Sequence, residues 1–256
     1  MRTFAIAALV LGMASLAAAK KPAHQAGQTS ASWDYLGKYG PLNWGKLDPA
    51  YKACSAGLAQ SPINIHDAVL NKGLKPLKFF YLGGPVTLVN DGHAIVARVV
   101  PGSYMIAEGV RYGLVDFTFH HPSEHAVDGE LSDMEVDFQY RSAAGDLAMV
   151  AVLLSENQDV PNATMSSLWQ HLPATAGETR TDEDMVDPGG LLPRDRGYWT
   201  YAGSLLAPPC TEGVRWLVLE NPVTISRRQL STFVSIFKMN TRPLQDLRGR
   251  QIEASE

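Results

Sequence analysis

Gly and Pro punctuate this chain from one end to the other, and the stretches between them are short and apolar. With 22 Gly and 16 Pro, a long helix is interrupted before it can develop, whereas a strand of a few residues is not. Residues 85–89, 93–100, 113–120, 134–140 and 147–154 all have the composition of strands. The last is nearly continuous in apolar residues, as expected of a strand buried on both faces. Helical pattern is scarce. Residues 226–239 give the best case: Ser226 and Gln229 have capping-box spacing, and Leu230, Phe233, Val234 and Phe237 make one apolar face. Residues 165–172 give a second, shorter one. The expectation is one mostly β (α+β) domain with a few short helices, without internal repeats.

The first residues stand outside that pattern. Met1-Arg2 is a positive start, residues 4–16 are apolar except for Gly12 and Ser15, and Ala17-Ala18-Ala19 offers small residues before Lys20-Lys21. This is the order of a secretory signal, with an apolar run short for a bilayer span, although an uncleaved anchor is the rival reading. The chain therefore divides into a signal peptide (1–19), a flexible polar lead-in (20–32) and a domain (33–256), with no membrane span after cleavage. The expected location is periplasmic or secreted. A net charge of −4 without a basic stripe argues against nucleic-acid binding, and 45% hydrophobic residues argue against wholesale disorder. Cys54 and Cys210 are the only cysteines. In an oxidising compartment they are expected to pair, the alternative being two buried thiols. Two cysteines alone lack the spacing of a structural zinc site.

Chemistry concentrates in residues 113–140. Side chains alternate faces along a strand, so Asp116, Thr118 and His120 share one face, and Val115, Phe117 and Phe119 the other. Glu135, Asp137 and Gln139 share a face of the next strand. If the two strands pair, Thr118, His120 and Asp137 converge, as a metal or acid/base site requires. The competing reading is a solvated face of a half-buried sheet.

Ordered motifs across the domain add a family resemblance. They are Trp33-x-Tyr35 with Gly40-Pro41-x-x-Trp44, Gln60-Ser61-Pro62-Ile63-Asn64-Ile65, Asn90-Asp91-Gly92-His93, Pro122-Ser123-Glu124-His125, Leu191-Leu192-Pro193, Tyr198-Trp199-Thr200-Tyr201-x-Gly203-Ser204, Pro208-Pro209-Cys210 and Asn240-x-Arg242-Pro243. With these the chain resembles the α-class carbonic anhydrases. The resemblance implies a ten-stranded, largely antiparallel central sheet with an active-site cone on one side. It also implies a Cys54–Cys210 disulfide and a zinc cofactor held by three His. The ligand positions fall on Thr118, His120 and Asp137, so one of the three His is present. His121 points to the opposite face, and His125 matches a different family position. Glu124 matches the Glu that receives a hydrogen bond from a hydroxide-orienting Thr, but that Thr is Leu206 and the position after it is Ala207. Asp116 stands where a Gln orients the first ligand, Glu135 where a Glu orients the third, and Gln139 at an apolar pocket position. His93 matches the proton shuttle and Tyr35 the cleft Tyr.

Catalytic zinc takes three firm protein ligands and one open position. A neutral Thr hydroxyl is a poor ligand, and an anionic Asp reduces the charge that acidifies bound water. Loss of a single outer partner costs about 10–100-fold in affinity or activity. The residues therefore point to an exported pseudoenzyme, a binding or structural module for an unidentified ligand or protein, with no stoichiometric cofactor. The alternatives are weak residual CO2 hydration, or altered chemistry such as small-ester hydrolysis with His120, Asp137, Glu124 or His93 and a weak nucleophile candidate in Ser204.

Overall fold

The computed structural model describes residues 32–157 and 159–255; the expected signal segment and nearly all of the lead-in lie outside them. Fifteen strands occur among these residues. They are β1 (Asn64–Ile65), β2 (Val69–Leu70), β3 (Lys78–Phe80), β4 (Gly84–Asn90), β5 (Ile95–Val99), β6 (Tyr104–Ala107), β7 (Val110–His120), β8 (Ala126–Val127), β9 (Glu130–Leu131), β10 (Met134–Ser142), β11 (Leu147–Glu156), β12 (Thr179–Val186), β13 (Tyr198–Ser204), β14 (Glu212–Ile225) and β15 (Glu253–Ala254). Four short α-helices accompany them: α1 (Trp44–Leu47), α2 (Ala53–Ala56), α3 (Ala163–Gln170) and α4 (Arg227–Val234).

Twelve strands make one mixed sheet. Ten lie in line, in the order β12-β4-β5-β7-β10-β11-β14-β13-β15-β2, and β3 and β6 attach beside β7. The ten-stranded, largely antiparallel expectation thus describes the main path. The β3–β6 flap enlarges it, and β11–β14 and β15–β2 pair in parallel. β11 lies between β10 and β14 and is buried over most of its length, which explains its continuous apolar sequence.

The two sheet faces carry different cores. Phe117, Phe119, Val136, Phe138, Val150 and Val152 belong to the larger one. α3 and α4 cover it, bringing Trp169 edge-on to Phe119 with ring centroids 4.8 Å apart and placing Phe233 nearby. On the opposite face a smaller cluster contains Ile63, Ala151, Tyr201, Leu206, Trp216 and Val218. The apolar partners of β7 and β10 are consumed by the larger core, which leaves their polar faces for the cleft.

The capping box at Ser226 forms: its backbone N–H donates to Gln229 Oε1 at 3.0 Å, and its hydroxyl accepts from the Gln229 N–H. The helix ends at Val234 rather than continuing to Met239. The chain must turn there so that Asn240 can dock on the end of β7, where it bonds the backbone of His121 in both directions. The shorter helix begins at Ala163, two residues earlier than its apolar pattern suggests, because Asn162 caps it through Met165 N–H at 2.9 Å. Cys54 and Cys210 are joined, with Cα atoms 5.0 Å apart, so the buried-thiol alternative does not hold.

Candidate functional site

The antiparallel register of β7 and β10 sets Asp137 directly opposite Thr118, Glu135 opposite His120 and Gln139 opposite Asp116. Thr118, His120 and Asp137 do converge, at the floor of a cavity of about 210 Å³. Trp33, Met149, Leu205 and Leu206 contribute apolar wall, and no Lys or Arg among the described residues lines the cavity.

His120 is buried, and its Nδ1 lies 3.0 Å from the Asn240 carbonyl oxygen. A carbonyl can only accept, so Nδ1 carries the proton and Nε2 is left as an acceptor in the neutral ring. Burial holds this imidazole below its ordinary pKa, favouring that neutral form. Nε2 faces Asp137 Oδ2 across 3.6 Å, too wide for a direct hydrogen bond. Asp137 is 1% exposed, and no donor group reaches either of its oxygens. Burial, followed by the charge of the neighbouring Glu135, pushes the Asp137 carboxyl well above the carboxylate range.

Glu135 is engaged elsewhere. One oxygen accepts the His125 backbone N–H at 2.9 Å, and the other lies 2.7 Å from His125 Nδ1. Burial opposes its ionisation, but the His125 contacts outweigh it and hold the carboxyl below its usual value. His125 Nε2 then lies 2.7 Å from the Tyr201 hydroxyl, itself 2.9 Å from Ser61 Oγ. The sequence reading set His125 aside and gave Glu135 a ligand-orienting role; in the fold the two form a buried chain of their own beneath the cleft. Its only sequence signals are the adjacency of Glu124 and His125 and the strand phase of Glu135.

Glu124 is also buried, which pushes its carboxyl upward; one oxygen accepts the Arg242 backbone N–H at 3.0 Å. Its other oxygen is 3.2 Å from His120 Nδ1, whose proton is directed at Asn240. The Arg242 guanidinium donates to the carbonyls of Ser61 and Cys54, each at 2.8 Å, and burial pulls it down to about 10. Leu206 lines the cavity with an alkyl side chain, so no hydroxyl stands beside Glu124 from that position. At the rim, the His93 ring stacks on Trp33 with centroids 3.7 Å apart, and its Nε2 lies 2.9 Å from the Trp33 carbonyl oxygen. Tyr35 is buried alongside, and burial raises its phenol well above the usual value. Ser204 lies apart from any such base: its hydroxyl donates to the Leu205 carbonyl and accepts the Ser61 N–H.

The groups offered to a zinc ion are thus one imidazole nitrogen, one carboxyl and one neutral hydroxyl. Among the described residues no three His, Cys, Asp or Glu side chains are grouped so as to hold a metal. This donor set does not fit a catalytic zinc.

The eukaryotic-type carbonic anhydrase family matches residues 39–256. The chain belongs to the carbonic anhydrase family. It is 39% identical over 224 residues to a carbonic anhydrase of Pectobacterium carotovorum, covering 87% of this chain and 91% of that one. Among solved carbonic anhydrases, the Thermovibrio ammonificans α-carbonic anhydrase complexed with sulfanilamide superposes with a TM-score of 0.84 at 37% identity, covering 88% of this chain and 99% of the other. Dioscorin, solved in complex with ascorbate, gives a TM-score of 0.81 at 29% identity over 87% of this chain and 97% of its own. Fold and family therefore agree with the sequence motifs.

Proposed function

We propose that this chain is an exported binding module on the carbonic anhydrase scaffold rather than an efficient zinc hydrase. The observation that carries the reading is the opposed pair Thr118 and Asp137, which leaves His120 as the one imidazole at the cavity floor among the described residues, with His93 at the rim. Leu206 supports it, since an alkyl group cannot orient a hydroxide. Dioscorin's complex with ascorbate supports it by analogy, because that relative holds a small organic molecule on the same fold. Export is favoured by the Cys54–Cys210 bridge and the amino-terminal signal pattern. No helix among the described residues is long and apolar enough to cross a membrane.

A second reading, CO2 hydration at a residual rate, is favoured by the names of the bacterial relatives. Ester hydrolysis has less support, because Ser204 bonds backbone groups rather than a base. Metal analysis separates the first two. Protein purified from the periplasm without chelator is expected to contain far less than one zinc per chain. Near-stoichiometric zinc, with sulfonamide-sensitive CO2 hydration, would overturn the binding-module reading in favour of the second.

A further inference from the structure

At the cleft floor, His120 Nε2 and the Asp137 carboxyl face one another without a hydrogen bond between them. His120 Nε2 is an acceptor because Nδ1 is committed to the Asn240 carbonyl, and Asp137 Oδ2 faces it across 3.6 Å. Asp137 is buried, aimed into the cavity and without a hydrogen-bond donor at either oxygen. Buried polar atoms left without partners in this way are costly, and a group bearing several N–H donors relieves them.

The surrounding charge has the same preference. Glu124 and Glu135 stand behind the floor, and Asp91 lines the rim. The Arg242 charge acts on Glu124, but its guanidinium donates to the backbone carbonyls of Ser61 and Cys54 and does not line the cavity. With no Lys or Arg of the described residues on the wall, an anion entering the cleft meets no fixed positive charge from them. Above the floor, Val96, Met149, Leu205 and Leu206 form an apolar sleeve, suited to a flat hydrocarbon body behind a charged head.

We propose that this cleft binds a small, planar, donor-rich organic cation, with an amidinium-type head whose N–H groups engage Asp137 and His120 Nε2 and whose apolar body lies against Leu205 and Leu206. The inference rests on the metal-poor reading given above. A planar fork of N–H donors is the group that engages a carboxyl side chain with the best geometry. Gln139, two residues along the same strand face from Asp137, adds a polar edge to the cavity.

Isothermal titration calorimetry tests this with benzamidine, its neutral counterpart benzamide and the anion benzoate, on protein whose zinc content is measured in the same preparation. Benzamidine is expected to bind one per chain, with benzamide and benzoate weaker by about tenfold or more, the value of a charge-assisted contact. Asp137→Asn, which keeps the side-chain shape, should weaken benzamidine by about tenfold or more. Gln139→Lys, which offers the floor an ammonium from within the chain, should abolish binding while Asp137 remains. Should Asp137→Asn fail to fold, Gln139→Lys carries the test alone. Absence of benzamidine heat at millimolar concentration, equal affinity for benzoate or benzamide, or unchanged binding in the folded variants would overturn the inference. If the protein is metal-poor, such a failure leaves the function proposed above standing. Near-stoichiometric zinc defeats that function first, and this inference with it.

Discussion

Replacing Asp137 with Asn should make the protein more stable at neutral pH, and the size of the gain follows from the cleft floor. The carboxyl is 1% exposed with no donor at either oxygen, beside Glu135. Leaving a buried polar group unmatched costs about 1–3 kcal/mol. An Asn of the same shape removes the charge conflict with Glu135, and its amide can donate across the gap to His120 Nε2 after a small approach. The expected gain is therefore about 1–3 kcal/mol near pH 8, with each kcal/mol raising the midpoint by about 2–4 °C in a domain of this size. Its pH dependence has a definite sign. Burial raises the carboxyl above its unfolded value, so the folded state holds this proton more tightly than the unfolded state does. The stability linked to that proton is complete below the ordinary Asp value of about 3.9, and is lost as pH rises toward the raised folded value. The gap between variant and parent should therefore be narrow near pH 4 and widen toward about pH 8. Thermal melts followed by near-ultraviolet circular dichroism read both quantities. A variant that melts below the parent near pH 8, or a gap that ignores pH, would refute the account of Asp137 as an unmatched buried acid.

Three further outcomes follow from the same geometry. Thr118→His, Asp137→His and Leu206→Thr together should restore zinc binding, with CO2 hydration returning more weakly; a zinc-free triple variant would mean that the cleft differs beyond these positions. Replacing Cys54 and Cys210 together with Ser opens a bridge spanning 156 positions, and should cost about 5 kcal/mol in the chain-entropy model, measured by urea unfolding. Arg242→Met leaves the carbonyls of Ser61 and Cys54 without their buried donors and should destabilise by about 3 kcal/mol or more in the same assay; a loss below 1 kcal/mol would contradict it.

The strands around the site were legible because a two-residue period, read with one buried face, leaves little freedom. β7 and β10 follow that rule, and the meeting of Thr118, His120 and Asp137 follows once they pair. The Glu135–His125–Tyr201 chain was not legible from pattern, since His125 and Tyr201 lie 76 positions apart and meet through the turn after β7. The early end of α4 was hidden for the same reason. Its apolar face continues to Phe237, but the need to bring Asn240 to His121, across 119 positions, overrides it. The β3–β6 flap pairs short strands whose local sequence carries no distinct alternation, so the sheet is wider than the motifs implied.

His120 is best understood through Asn240. That Asn donates to the backbone carbonyls of Phe119 and His93, accepts the His121 N–H, and presents its own carbonyl to His120. The imidazole is therefore a fastener between the end of β7 and the carboxyl-terminal segment, whatever else its free nitrogen meets. A residue with a mechanical duty of this kind is held for the fold's sake alone. The presence of His120 is therefore no gauge of catalysis by itself, because the architecture holds this side chain in place whatever chemistry the cleft performs.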